Sequence, residues 1–116
     1  MHADVIIVGA GPAGCATGMG LADRGLEVLI LDRGSFPRDK VCGEGLMPHG
    51  VAALDALGLR ERVEDAGGQR FLGIAYIDGE RRAEGQFPEV KGFNYGLALR
   101  RLHLDPIFHA AAIARP

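Results

Sequence analysis

A glycine-rich segment near the start of the chain has the spacing that phosphate binding needs. Residues 9–14 read GAGPAG, which is the G-x-G-x-x-G pattern. In that pattern Gly9 makes the tight turn, Gly11 lets a pyrophosphate approach the backbone, and Gly14 lets the following helix pack close to the strand. The N–H groups at the start of the helix are unpaired and face the phosphates. The segment therefore predicts a dinucleotide site.

An acidic residue follows at the distance that ribose binding requires. Asp32 lies eighteen residues after Gly14, at the end of a second apolar run. A carboxylate in this place accepts hydrogen bonds from the ribose hydroxyls of an adenosine and repels a 2′-phosphate. We favour a dinucleotide site over a turn that binds nothing, because strand, helix, second strand and acid all fall where the motif needs them.

The elements around these residues form a βαβ unit. Residues 5–8 (VIIV) are a β-branched run that suits a buried parallel strand, and residues 27–31 (EVLIL) are a second one. Between them we predict a helix that starts near Pro12 and runs to about Arg24, with Gly25 at its left-handed C-terminal position. The predicted fold class is α/β, a Rossmann-type dinucleotide-binding fold.

The remainder of the chain departs from the strand–helix alternation of a nicotinamide-type sheet. Because an antiparallel hairpin is inserted, the order of elements favours FAD over NAD. The predicted elements are a polar loop (33–45), a helix from Pro48, a short charged helix (59–66), hairpin strands (71–77 and 81–87) around the turn Asp78-Gly79, an extended segment (93–99) and a helix (101–114).

Three segments resemble one group of enzymes. Residues 5–33 resemble the N-terminus of FAD-dependent oxidoreductases with the aromatic-hydroxylase (group A flavin monooxygenase) fold. Residues 40–48 (KVCGEGLMP) resemble the K-x-C-G-x-G segment of the geranylgeranyl reductase family, and residues 101–108 resemble the R-x-x-L-D-x-x-L helix of the same superfamily. The resemblance runs nearly end to end and covers roughly the first third of such proteins.

The resemblance implies a cofactor-binding role for residues in all three segments. The 9–14 turn is expected to hold the pyrophosphate and Asp32 the adenosine ribose, although many relatives have Glu at that position. The resemblance also implies a backbone loop beside the flavin and an arginine that reaches the cofactor. The residues concerned are Gly9, Gly11, Pro12, Ala13, Gly14, Asp32, Cys42, Gly43, Gly45 and Arg101.

The cationic residues and cysteines near the motifs have two interpretations each. Arg33, Arg38 and Lys40 could together neutralise a pyrophosphate or belong to a solvated loop. We leave both readings open for Arg33, which stays a candidate cofactor residue, and favour the solvated loop for Arg38. For Cys42 we favour a small loop-shaping residue over a thiol activated by Lys40. Cys15 is expected in the core.

Composition excludes several classes of protein. Thirteen Lys and Arg against fifteen Asp and Glu give a net charge of −2, which leaves no basic excess for nucleic acid. The two cysteines form no C-x-x-C pair, so we expect neither a metal site nor a disulfide framework. Residues 1–4 have no basic character and no apolar run reaches membrane-spanning length, so we expect no signal peptide, no membrane span and a reducing cytoplasmic location.

These features predict the FAD-binding part of a flavin-dependent oxidoreductase. We expect residues 1–116 to be the N-terminal part of an FAD-binding domain, with the substrate domain and the remaining FAD-binding segments absent. An external donor, often NAD(P)H, would reduce the flavin. The reduced flavin would then either saturate a carbon–carbon double bond of a prenyl chain, as in a geranylgeranyl reductase, or activate O2 for hydroxylation or halogenation, and we favour the reductase branch. The substrate would be a small molecule or a lipid-like one. The alternatives are an NAD-dependent dehydrogenase domain and a non-catalytic nucleotide-binding fragment.

Overall fold

A computed structural model describes residues 2–116 of the chain. These residues form two compact units, one consisting of the residues up to Cys42 together with Arg100–Pro116, the other of Gly43–Leu99. The helices and strands are, in chain order, β1 (Val5–Val8), α1 (Pro12–Ala22), β2 (Val28–Leu31), β3 (Gly45–Leu46), α2 (Pro48–Ala56), α3 (Arg60–Asp65), β4 (Gln69–Phe71), β5 (Gly73–Asp78), β6 (Arg81–Gln86), β7 (Gly96–Ala98) and α4 (Arg101–Ile113).

The first unit contains the predicted βαβ motif. Strands β1 and β2 pair in parallel, with Val5 opposite Val28 and Val8 opposite Leu31. Helix α1 packs close to this sheet because it carries glycine on the sheet side: a Cβ on Gly18 would lie 2.7 Å from Cδ1 of Ile30. The α/β, Rossmann-type fold class is thus confirmed. The helix ends two residues earlier than predicted.

Helices α1 and α4 supply the core of the first unit. Cys15 and Met19 of α1 are fully buried, and Leu104 and Phe108 of α4 are buried as well. This arrangement confirms that Cys15 is a core residue. Burial raises the pKa of its thiol, with the negative charge of Asp105 as the next cause.

In the second unit, α2 packs against a small antiparallel sheet of order β3-β7-β4, and α3 packs against α2. The core of this unit consists of apolar side chains from α2, α3, β7 and the segments between them, namely Val51, Leu54, Leu59, Val63, Tyr95, Leu97 and Leu99. The helix start at Pro48 and the short charged helix were both predicted from sequence.

The antiparallel hairpin is also confirmed. Strands β5 and β6 pair from Gly73 opposite Gln86 to Asp78 opposite Arg81, and Gly79 in the turn has a φ of +59°. The prediction of one strand over 71–77 is wrong, however. The chain changes partner at Leu72, since β4 pairs with β7 whereas β5 pairs with β6. The element therefore breaks into two strands.

Within residues 2–116, no helix has both the length and the apolar character to span a membrane.

Candidate functional site

The turn between β1 and α1 presents uncapped backbone N–H groups. Gly9 has a φ of +109°, which turns the chain sharply after β1, and its own N–H donates to the carbonyl of Leu31. Gly11 is the N-cap of α1 and Pro12 its first residue. No side chain caps this helix end and its first turn holds no acidic residue. The positive end of the helix is therefore available to an anion.

The glycines of the turn have separate structural roles. A Cβ on Gly14 would lie 1.9 Å from the carbonyl oxygen of Gly9, so the fold itself requires glycine there. A Cβ on Gly11 would meet just one neighbour within 4 Å, Nη2 of Arg101 at 3.6 Å. The fold does not require glycine at this position, and the open space beside its backbone fits a pyrophosphate.

Asp32 is held by two backbone donors and one side chain. Its Oδ2 accepts from the N–H of Ala10 at 2.7 Å, and its Oδ1 accepts from the N–H of Gly34 at 2.8 Å. Arg38 donates from Nη1 to Oδ1 at 2.7 Å and from Nη2 to Oδ2 at 3.1 Å. The hydrogen bonds of Arg38, followed by those of the two backbone groups, hold the pKa of Asp32 well below its usual range. The carboxylate is ionised at neutral pH.

The favoured interpretation of Arg38 as a solvated loop residue is wrong. Its side chain is only 25% exposed, because it pairs with Asp32 and lies over the ring of Phe36 at 4.5 Å. Phe36 in turn stacks on His109 of α4, with ring centroids 4.6 Å apart. The sequence signal for this ion pair was an acid and an arginine, Asp32 and Arg38, six residues apart in a loop that contains glycine and proline. Arg33, by contrast, is exposed.

A cleft opens beside Asp32 in the first unit. It has a volume of about 430 Å³. Its lining includes the acid, the aromatic pair and small residues of the glycine turn, the loop after β2 and α4, namely Ala10, Asp32, Gly34, Phe36, His109 and Ala112. Carboxylate and aromatic walls suit a nucleoside, whose ribose donates hydrogen bonds and whose base stacks.

Arg101 lies beside the glycine turn although it is far from it in sequence. It donates from both Nε and Nη2 to Asp105, the latter at 2.9 Å, and Asp105 is fully buried. The hydrogen bond to Asp105 raises the pKa of the Arg101 guanidinium, and a further hydrogen bond to Cys42 adds to this effect. Sequence reasoning singled out Arg101 but missed Asp105 as its partner, although their spacing of four residues on a helix signals the pair.

The remaining candidate cofactor residues are divided between the two units. Cys42 is exposed and belongs to the first unit. In the second unit, Gly45 pairs with Ala98, and a Cβ on it would lie 3.3 Å from Cζ of Phe71. Gly43 faces open space. The flavin-side role of Cys42, Gly43 and Gly45 stays a prediction.

No three metal-ligating side chains cluster anywhere in the part of the chain that the structure describes.

A parallel βαβ unit, an uncapped helix start behind a glycine turn and an ionised acid at the end of β2 define a dinucleotide-binding domain. A family described as FAD binding domain matches residues 2–115. The chain belongs to this family, and its dinucleotide is therefore FAD, as the order of elements predicted.

Curated relatives include both reductases and oxygenases. The chain is 45% identical to the menaquinone reductase of Mycobacterium tuberculosis over 103 residues, which cover 89% of this chain and 25% of that protein. It is 36% identical to a squalene epoxidase of Schizosaccharomyces pombe over 102 residues, which cover 81% of this chain and 22% of that protein. The chain thus spans about a quarter of the length of these relatives.

Solved structures of flavin-dependent halogenases share the fold. A flavin-dependent brominase superposes with a TM-score of 0.85 and 30% identity, over 99% of this chain and 28% of that one. The flavin-dependent halogenase CmlS superposes with a TM-score of 0.87 and 28% identity, over 99% of this chain and 22% of that one. Together these matches show that the chain is similar to the FAD-binding part of flavin-dependent reductases, oxygenases and halogenases.

Proposed function

We propose that the whole protein is an FAD-dependent reductase that saturates a carbon–carbon double bond in the prenyl chain of an isoprenoid lipid. The observation that carries this proposal is the 45% identity to a menaquinone reductase over 103 residues, which exceeds the 36% identity to a squalene epoxidase over 102. Both relatives are named for isoprenoid lipids, which favours a substrate of that class. The KVCGEGLMP segment, similar to that of geranylgeranyl reductases, supports the reductase branch.

In this proposal the first unit holds the adenosine diphosphate half of FAD. The N–H groups at the start of α1 and the Arg101 guanidinium bind the pyrophosphate, and Asp32 binds the ribose. The uncapped helix end, the open space at Gly11 and the position of Asp32 directly after β2 support these assignments. Arg33, Cys42, Gly43 and Gly45 remain candidate contacts. Bound FAD would supply two-electron chemistry, and the protein would orient it against the substrate.

The second candidate is an oxygenase or halogenase. It is favoured by the squalene epoxidase relatives and by the halogenase structures. These functions leave different products on a prenyl lipid: the reductase adds two hydrogen atoms, the oxygenase adds one oxygen atom, and the halogenase adds a halogen atom. The oxygenase and the halogenase both need O2.

The test is mass spectrometry of a prenylated quinone after incubation with the whole protein, FAD and NAD(P)H. A gain of two hydrogens that persists without O2 supports the reductase. A gain of oxygen, or of halogen when halide is supplied, that disappears without O2 supports the second candidate and rejects the first. We expect residues 1–116 alone to oxidise NAD(P)H no faster than free flavin does.

A further inference from the structure

The Asp32 carboxylate has no acceptor position left for a ligand. A carboxylate offers about four lone-pair sites, two on each oxygen. Ala10 and Arg38 donate to Oδ2, and Gly34 and Arg38 donate to Oδ1, at distances of 2.7 to 3.1 Å. All four sites are therefore filled within the chain. A ribose hydroxyl that is to donate to Asp32 must displace one of these donors.

The two backbone donors are held in place by the fold. Ala10 is buried in the turn after β1, and its N–H points at Asp32 because β1 and β2 are paired in parallel. Gly34 follows Asp32 by two residues, so its N–H closes a short local turn. The Ala10 N–H therefore leaves the carboxylate only if the βαβ unit rearranges, and the Gly34 N–H leaves only if the backbone of this short turn changes conformation.

The Arg38 side chain is the exchangeable donor. It reaches Asp32 from a loop on a long, flexible stem, it is a quarter exposed, and its Nε finds no hydrogen-bond partner among residues 2–116. The Phe36 ring offers the Arg38 guanidinium an alternative contact when it leaves Asp32, because the guanidinium already lies 4.5 Å from the centre of that ring. The approach of Arg38 to Asp32 also depends on Gly34, where a Cβ would lie 2.9 Å from Nη1.

We propose that Arg38 is an internal ligand of Asp32 that must leave the carboxylate before an adenosine ribose binds there, and so sets the affinity of the site. The inference rests on the proposed placement of the ribose at Asp32. The observed affinity is then the intrinsic affinity multiplied by the fraction of molecules in which Arg38 has withdrawn. An ion pair that closes the site nine times in ten weakens binding about tenfold.

The test is calorimetric titration of the chain with ADP and with 2′,3′-dideoxy-ADP, which lacks both ribose hydroxyls. The first variant, Arg38→Met, removes the competing guanidinium. The second, Gly34→Ala, keeps the charge but places a Cβ against Nη1. The control, Arg24→Met, removes an equal charge from an exposed arginine at the end of α1, whose Nη1 donates to the carbonyl of Gly20. Circular dichroism checks the fold of each variant.

We expect Arg38→Met to bind ADP about tenfold more tightly than the unmodified chain does. Gly34→Ala should shift affinity in the same direction by less, and Arg24→Met should leave it unchanged. The gain should be absent with the dideoxy probe, which does not use Asp32. Unchanged or weaker ADP binding by a folded Arg38→Met, or an equal gain with the dideoxy probe, overturns the proposal for Arg38 alone. If the unmodified chain and Arg38→Met both fail to bind ADP, the placement of the nucleotide is wrong as well.

Discussion

Replacing Gly11 with valine should separate binding from folding. Gly11 has a φ of −72° and a ψ of −178°, an extended conformation that valine adopts without strain. A Cβ there would make one contact, an ordinary one of 3.6 Å with Nη2 of Arg101. We therefore expect the free energy of unfolding to stay within about 1 kcal/mol of its original value. The branched side chain would fill the space where the pyrophosphate approaches the backbone.

The expected effect on binding is large. If valine removes two charge-assisted hydrogen bonds between the helix start and the pyrophosphate, each worth about 1.5–3 kcal/mol, the loss is about 3–6 kcal/mol. This corresponds to a weakening of FAD binding by a factor of about 10² to 10⁴. Calorimetric titration with FAD measures the affinity, and thermal melting followed by circular dichroism measures the stability.

Valine at Gly14 supplies the contrasting variant. Its Cβ would lie 1.9 Å from the carbonyl oxygen of Gly9, so backbone must move and stability should fall by about 1–3 kcal/mol or more. The thermal midpoint would drop by about 4–8 °C for each kcal/mol. A folded Gly11→Val variant that binds FAD as tightly as the unmodified chain would refute the assignment of the phosphate site.

Other expectations concern the two ion pairs of the first unit. Asp32→Ala should weaken FAD binding by less than Gly11→Val does, by about 10- to 100-fold in the same titration, because FAD loses its ribose hydrogen bonds but keeps the helix start that binds the pyrophosphate. The pKa of Asp32 is lowered by folding, so its contribution to stability is present above the unfolded pKa of about 3.9 and is lost as the pH falls below it. Urea unfolding as a function of pH should therefore show that the free energy of unfolding of Asp32→Asn falls less at acidic pH than that of the unmodified chain. An equal fall in both proteins would contradict the ion pair. Arg101→Met should lower the free energy of unfolding by about 3–5 kcal/mol, because it leaves the buried Asp105 carboxylate without its positively charged partner. Adding Asp105→Leu should restore most of that loss, and failure to do so would show that Arg101 stabilises the unit by another route.

The βαβ unit was predictable because each of its signals is local. The apolar runs, the glycine spacing, the proline at the first helical position and Asp32 all act within about thirty residues, so periodicity and turn chemistry suffice to place them. The Asp78-Gly79 hairpin turn was predictable for the same reason, since the turn residues dictate the pairing on both sides.

The features missed by sequence reasoning depend on tertiary contacts. The strand break at Leu72 follows from a change of pairing partner that no local pattern encodes. Arg38 was misassigned because its loop is polar in composition, whereas its burial comes from one carboxylate and one aromatic ring. Arg101 could be named from the family pattern, but only the structure places its guanidinium beside Gly11.

The central claim is that this chain binds FAD through the glycine turn and Asp32. Parallel calorimetric titrations of the chain with FAD and with NAD test it most directly. We expect FAD to bind at least as tightly as NAD, because both carry the ADP moiety that the glycine turn and Asp32 hold, and we expect FAD binding to be lost in Gly11→Val. Tight NAD binding with no uptake of FAD would contradict the account.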